Sequence, residues 1–113
     1  TDEWLRFLAT LPARPTAKSL GELDAAFDLT HRENAEIAAA WLGLAIRADY
    51  APAYDRLETF LLSVGRRKFI KPLYAELLRT PAGRARAEDV YRRARPAYHP
   101  IAQSTLDRMF ESR

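Results

Sequence analysis

An all-α fold is predicted for this 113-residue chain by three features of the sequence. Alanine and leucine are abundant, whereas valine occurs only at Val64 and Val90 and isoleucine only at Ile37, Ile46, Ile70 and Ile101. Apolar residues recur at steps of three and four, and no segment alternates with period two over a useful length. Proline and glycine fall at the boundaries between apolar stripes, apart from Gly21 and Gly43. A chain of this length can bury roughly two-thirds of its unfolded surface, so residues 1–113 are expected to form a single helical domain.

The elements follow in order. Trp4, Leu8 and Leu11, flanked by Leu5 and Phe7, trace a short first helix that Pro12 and Pro15 end. Ser19 stands three before Glu22, a capping-box spacing, and Leu20, Leu23 and Phe27 give the second helix its apolar side. Asn34 caps a third helix in which Ile37, Trp41, Leu44, Ala45 and Ala48 share a face that Ala38, Leu42 and Ile46 widen. A helix apolar over most of its girth is expected to be central. Tyr54, Leu57, Leu61 and Val64 form the stripe of an amphipathic fourth helix that stops at Gly65.

Phe69, Ile70, Leu73, Tyr74, Leu77 and Leu78 form the broad buried face of a fifth helix, with Pro72 expected in its first turn. Thr80-Pro81 reads as the cap and first-turn proline of a sixth, which runs through Ala87, Val90, Tyr91 and Ala94 to Pro96. His99-Pro100 opens a last helix with Ile101, Ala102, Thr105, Leu106, Met109 and Phe110 inward. Seven short helices at roughly 40 residues per pair fit stacked antiparallel pairs in a HEAT- or armadillo-like superhelix, although no residue-level repeat marks it, and a globular bundle is the alternative.

Charge is uneven. Residues 1–63 carry six basic and ten acidic side chains, residues 64–95 ten basic and three acidic, and the remainder is neutral. A basic half can meet nucleic acid, an acidic lipid surface, an acidic partner or a carboxylate ligand. Arg84, Arg86, Arg92, Arg93 and Arg95 are spread around one helix with Glu88 and Asp89 between them, the pattern of a solvated or domain-facing surface. Arg66, Arg67, Lys68 and Lys71 are instead concentrated at the junction between the fourth and fifth helices. Gly65 and Pro72 are expected to hold these cations on a turn. On an extended backbone Arg66 and Lys68 point the same way, whereas on a helix they diverge by about 200°. The cluster reads either as a solvated basic turn or as an anion site aided by a helix N-terminus.

Other chemistry is sparse. No cysteine is present, and His31 and His99 stand far apart without metal-ligand spacing, so no metal or cofactor is expected on this chain. No serine or threonine has a base and orienting acid near it in sequence, so no catalytic residue is assigned. No apolar run approaches the ~20 residues of a bilayer span, and no membrane partner is expected. The lack of cysteine permits the cytoplasmic location that is the expectation. A chain opening on Thr1, with its single methionine at Met109, is expected to be a piece of a longer product.

The pattern Gly65-Arg66-x-Lys68-Phe69-x-Lys71-Pro72-Leu73-Tyr74 resembles the signature of the C-terminal domain of leukotriene A(4) hydrolase and related zinc aminopeptidases. Asn34-x-Glu36-Ile37, followed by Trp41-Leu42, and His99-Pro100 agree with it, and the similarity extends from about Trp4 to Phe110. The resemblance implies a noncatalytic α-helical superhelix that walls the active-site cleft of a metallo-aminopeptidase. Its partner would be the preceding catalytic domain of the same polypeptide, which would hold the zinc. Arg66 and Lys68 would bind the substrate carboxylate, with Arg67 and Lys71 as secondary candidates. Arg67 departs from the apolar or neutral residue usual in the family. The competing reading is a stand-alone helical-repeat module that binds nucleic acid or an acidic partner through the basic half, and under the resemblance nucleic acid is disfavoured.

Overall fold

Seven α-helices, with no strand among the described residues, build the computed structural model, which describes residues 2–10, 16–31, 33–64 and 66–111. The all-α expectation holds. Two compact units, residues 1–57 and 58–113, divide the chain.

The first unit contains α1 (Asp2–Ala9), α2 (Ala17–Phe27), α3 (Ala35–Ala48), a 3-10 turn (Ala51–Ala53) and the start of α4 (Tyr54–Ser63). Leu11, expected in the stripe of the first helix, and Pro12 and Pro15, expected to end it, lie outside the described residues. Helix α2 begins earlier than the Ser19–Glu22 spacing suggests. Thr16 is the N-cap and its hydroxyl accepts from the Ser19 amide, so Ser19 sits inside the first turn. The Asn34 side chain accepts from the amides of Glu36 and Ile37, as expected of a cap. Helix α3 is central to this unit, packing on α1, α2 and the 3-10 turn with Ile37, Ala38, Trp41, Leu42, Leu44 and Ala45 buried.

A polar knot ties these elements together. The Asp24 carboxylate accepts from the Thr30 amide at 2.9 Å, the Thr30 hydroxyl at 2.6 Å and the Tyr50 hydroxyl at 2.9 Å. Trp41 Nε1 donates to Thr30 Oγ1 at 3.0 Å, and the Trp41 and Tyr50 rings meet edge to face. Thr30 is buried, so these bonds satisfy groups that would otherwise be costly to desolvate. Burial alone raises the Asp24 pKa, but the bonds from Thr30 and Tyr50 outweigh it and hold the carboxyl below its ordinary value.

The second unit contains the rest of α4, then α5 (Arg67–Leu77), α6 (Pro81–Ala94), a 3-10 turn (Arg95–Ala97) and α7 (Pro100–Glu111). Leu57, Phe60 and Leu61 of α4 are buried, whereas Val64 is half-buried and follows the helix. Phe60 was absent from the expected stripe. Gly65, the expected stop, lies outside the described residues. All six residues of the expected α5 face are buried, and α5 packs on α6 and α7. The expected apolar residues of α6 are buried too, and Thr80 caps that helix with Pro81 in its first turn. On α7 only Ala102 and Leu106 are fully buried, and Ile101, expected inward, is 57% exposed. Its side chain is on the outer face because α7 makes its inward contacts through the stripe Ala102–Leu106.

Hydroxyls cross this core. Tyr98 donates to the Leu61 carbonyl at 2.5 Å, and the hydroxyls of Tyr98 and Tyr74 lie 3.0 Å apart. Burial pushes the Tyr74 phenol far above its ordinary pKa and raises that of Tyr98, so both stay neutral. Tyr91 donates to Asp107 at 2.6 Å, and its ring stacks on Phe110 at 4.9 Å.

Two outcomes test this packing. A Cβ at Gly83 would lie 2.2 Å from the Leu77 carbonyl oxygen. Gly83→Ala should therefore destabilise by about 2 kcal/mol in urea unfolding, against the gain of about 1 kcal/mol expected from helix propensity alone. The depressed Asp24 pKa contributes stability that is fully present above the unfolded carboxyl value of about 3.9 and is lost as pH falls through the lower folded value. The melting temperature of the parent should fall below about pH 4 more steeply than that of Asp24→Asn, and superimposable pH profiles would contradict this role.

Candidate functional site

The α4–α5 junction is built from aromatic packing beneath and cations above. Phe60 of α4 meets Phe69 of α5 edge to face, 6.4 Å between centroids, and both rings are buried. The helix begins earlier than expected. The Arg66 carbonyl accepts the amides of Phe69 and Ile70, so α5 starts at Arg67, and Arg67, Lys68 and Lys71 are helical rather than on a turn. Only Arg66 is extended, with φ −77° and ψ 119°. Pro72 is correspondingly the sixth residue of α5, not a first-turn proline. It is exposed and withholds only the amide that would otherwise reach the Lys68 carbonyl.

Arg66, Arg67, Lys68 and Lys71 are all exposed. Arg66 Cζ lies 5.7 Å and Lys68 Nζ 5.3 Å from the centroid of the Phe69 ring, so both are gathered on one aromatic platform. The extended backbone at Arg66 makes this possible, because two helical residues at that spacing would diverge. Arg67 is drawn elsewhere, Nη1 lying 3.4 Å from Thr105 Oγ1 on α7. Lys71 lies one turn further along α5.

The start of α5 differs from those of α2, α3, α6 and α7. Side chains of Thr16, Asn34, Thr80 and His99 accept amides at the starts of α2, α3, α6 and α7. Arg66 occupies the corresponding position of α5 with no side-chain cap bond, and a guanidinium has no acceptor to offer. First-turn amides and the positive end of the helix dipole thus lie beside Arg66 and Lys68. That arrangement suits a carboxylate or phosphate.

The arginines of α6 are engaged otherwise. Arg84 pairs with Glu88, Arg92 with Asp89, and Arg93 with both Asp89 and Glu58. Arg95 grips Asp107 through Nε and Nη2, at 3.1 and 2.7 Å. That grip, with the Tyr91 hydroxyl bond, lowers the Asp107 pKa. A cavity of about 390 Å³ bounded by Arg84, Tyr91, Asp107 and Phe110 contains none of the four junction cations. His31 is solvated and bonded to Asp28, while His99 caps α7. Among the described residues no group of three or more His, Asp or Glu side chains is placed to hold a metal, and no helix is long and apolar enough to cross a membrane.

Two contributors were invisible in sequence. The period marks Phe69 only as core, and nothing in its place directly after Lys68 shows that Arg66 reaches its ring as well. Tyr98 stands in a loop with no periodicity to mark it.

Comparison with known proteins gives a consistent picture. A family model described as leukotriene A4 hydrolase, C-terminal, matches residues 1–110. Leucine aminopeptidase 2 of Neurospora crassa is 32% identical over 93 residues, covering 82% of this chain and 14% of that protein. Leucine aminopeptidase 2 of Pyricularia oryzae is 33% identical over 92 residues, covering 81% and 14%. A leukotriene A-4 hydrolase homolog of Botryotinia fuckeliana is 26% identical over 102 residues, covering 89% and 15%. The chain thus spans about one-seventh of the length of these relatives.

Proposed function

The chain belongs to the family of leukotriene A4 hydrolase C-terminal domains, and from that premise we propose that it is the noncatalytic domain of a cytoplasmic zinc aminopeptidase. In this reading its helix pairs stack as a superhelix against the preceding catalytic domain, which holds the zinc. The domain walls one side of the cleft. Arg66 and Lys68 bind the C-terminal carboxylate of a peptide substrate and so set its position relative to the bond that is cleaved.

One observation carries the reading: Arg66 and Lys68 converge on the Phe69 ring at a helix start that has no side-chain cap. Two cations beside the positive end of a helix dipole suit a carboxylate, and the aromatic platform limits the rotamer freedom lost on binding. A site completed by a second domain needs no concavity of its own, which fits the separation of the 390 Å³ cavity from the cations. Arg67, held towards Thr105, has a secondary role at most in this grip, as does Lys71, a turn further on. Ion pairing of Arg84, Arg92, Arg93 and Arg95 also leaves little of the basic half free for a nucleic-acid backbone.

Arg66→Ala in the full-length enzyme should lower kcat/KM for a free-carboxylate tripeptide by about 10- to 150-fold, the value of one charge-assisted contact. The corresponding tripeptide amide should be hydrolysed as by the parent. Steady-state kinetics on the matched pair decide the matter, and equal losses on both substrates would refute carboxylate binding.

A further inference from the structure

Beyond the Phe60–Phe69 contact, the two helices flanking the cationic junction are both hydrogen-bonded to one side chain that belongs to neither. Tyr98 follows the 3-10 turn Arg95–Ala97 and is 4% exposed. Its hydroxyl lies 2.5 Å from the Leu61 carbonyl, in the last turn of α4, and 3.0 Å from the Tyr74 hydroxyl of α5. A carbonyl can only accept, so the Tyr98 proton points at Leu61 and the Tyr74 proton must point at Tyr98. Carbonyls in the last turn of a helix lack intrahelical donors, and this one is satisfied from outside α4.

We propose that Tyr98 is a positioning residue for the carboxylate grip, its hydroxyl bracing the end of α4 against α5 so that the junction presents Arg66 beside Lys68. The proposal rests on the carboxylate-binding reading above and adds a residue to it.

Tyr98 is itself well anchored. Its amide donates to the Arg95 carbonyl at 3.0 Å, and Gln103 Nε2 donates to the same carbonyl at 2.8 Å. The Arg95 side chain is clamped by Asp107, so α7 holds the turn from which Tyr98 projects. The brace therefore transmits the position of α7 to the end of α4 and to Tyr74 within α5. Arg66 lies five residues after Leu61, and its extended backbone is what aims its guanidinium at the Phe69 ring. A shift of the α4 end re-aims Arg66, whereas Lys68, fixed within α5, stays.

The test uses the full-length enzyme with the tripeptide acid and its amide. Tyr98→Phe, which removes only the donor, should raise KM for the acid by about 5-fold, the weight of one hydrogen bond, with kcat unchanged. Amide kinetics should stay within about 2-fold of the parent. In the Arg66→Ala background Tyr98→Phe should add nothing for the acid, because the group it aims is gone. Tyr74→Phe removes the α5 side of the brace and should lower the acid-to-amide ratio in the same direction as Tyr98→Phe. A variant with 4-aminophenylalanine in place of Tyr98 retains a donor and should keep the parent ratio. If Tyr98→Phe does not fold, 4-fluorophenylalanine at that position fills the hydroxyl's space without a donor and is held to the same outcomes. An unchanged acid-to-amide ratio in Tyr98→Phe, alongside a collapsed ratio in Arg66→Ala, would overturn the brace and leave carboxylate binding standing. An unchanged ratio in Arg66→Ala would overturn both.

Discussion

Burial of one face of α5 is the constraint on which the second unit depends. Phe69, Ile70, Leu73, Tyr74, Leu77 and Leu78 occupy the core together, and each aliphatic or aromatic side chain contributes about 1.5–3 kcal/mol by leaving water. Once that face is committed, the helical period turns Lys68 away from the core and leaves Arg67 and Lys71 at its margin. The core thus orients the charges. Arg66 escapes the period because it precedes the helix, and that is why it can join Lys68 over Phe69.

Positive charge is handled in two ways within this unit. On α6 and the turn after it, arginines alternate with carboxylates one helical turn away and close into ion pairs, with Asp107 and Glu58 joining from other helices. Such exposed pairs contribute little to stability, but they hold the side chains in place and lower the local field. At the start of α5 the sequence supplies Arg66-Arg67-Lys68 with no acid between Glu58 and Glu76. Formal charge alone, +7 over residues 64–95, does not distinguish arginines interleaved with carboxylates from cations clustered at a helix start.

Helix existence, order and most buried faces were legible in the sequence because local spacing encodes them. The six core residues of α5, the Asn34 and Thr80 caps and the central character of α3 all follow from periods and cap chemistry within a few residues. The start of α5 was misplaced because proline favours first turns, a local preference that the bonds of the Arg66 carbonyl override. Thr16 and Ser19 each offer a capping hydroxyl, three residues apart, and spacing alone does not choose between them. What sequence could not show were contacts between distant residues: the Asp24–Thr30–Trp41–Tyr50 knot and the Tyr74–Tyr98–Leu61 chain bridge up to 37 positions. The cationic cluster was visible as composition, but its gathering on Phe69 was a matter of backbone geometry.

The hydroxyl chain also carries a consequence for motion. The Tyr74 ring is enclosed edge-on by Tyr91, Tyr98 and Phe110 and tethered at its tip by Tyr98. A half-turn of that ring about its Cβ–Cγ axis must sweep through space that three other rings occupy, so it waits for the whole aromatic cluster to expand. Flipping of Tyr74 is therefore a clock for core breathing. Its two sides remain distinguishable to a magnetic probe for as long as the core beneath the cations stays closed.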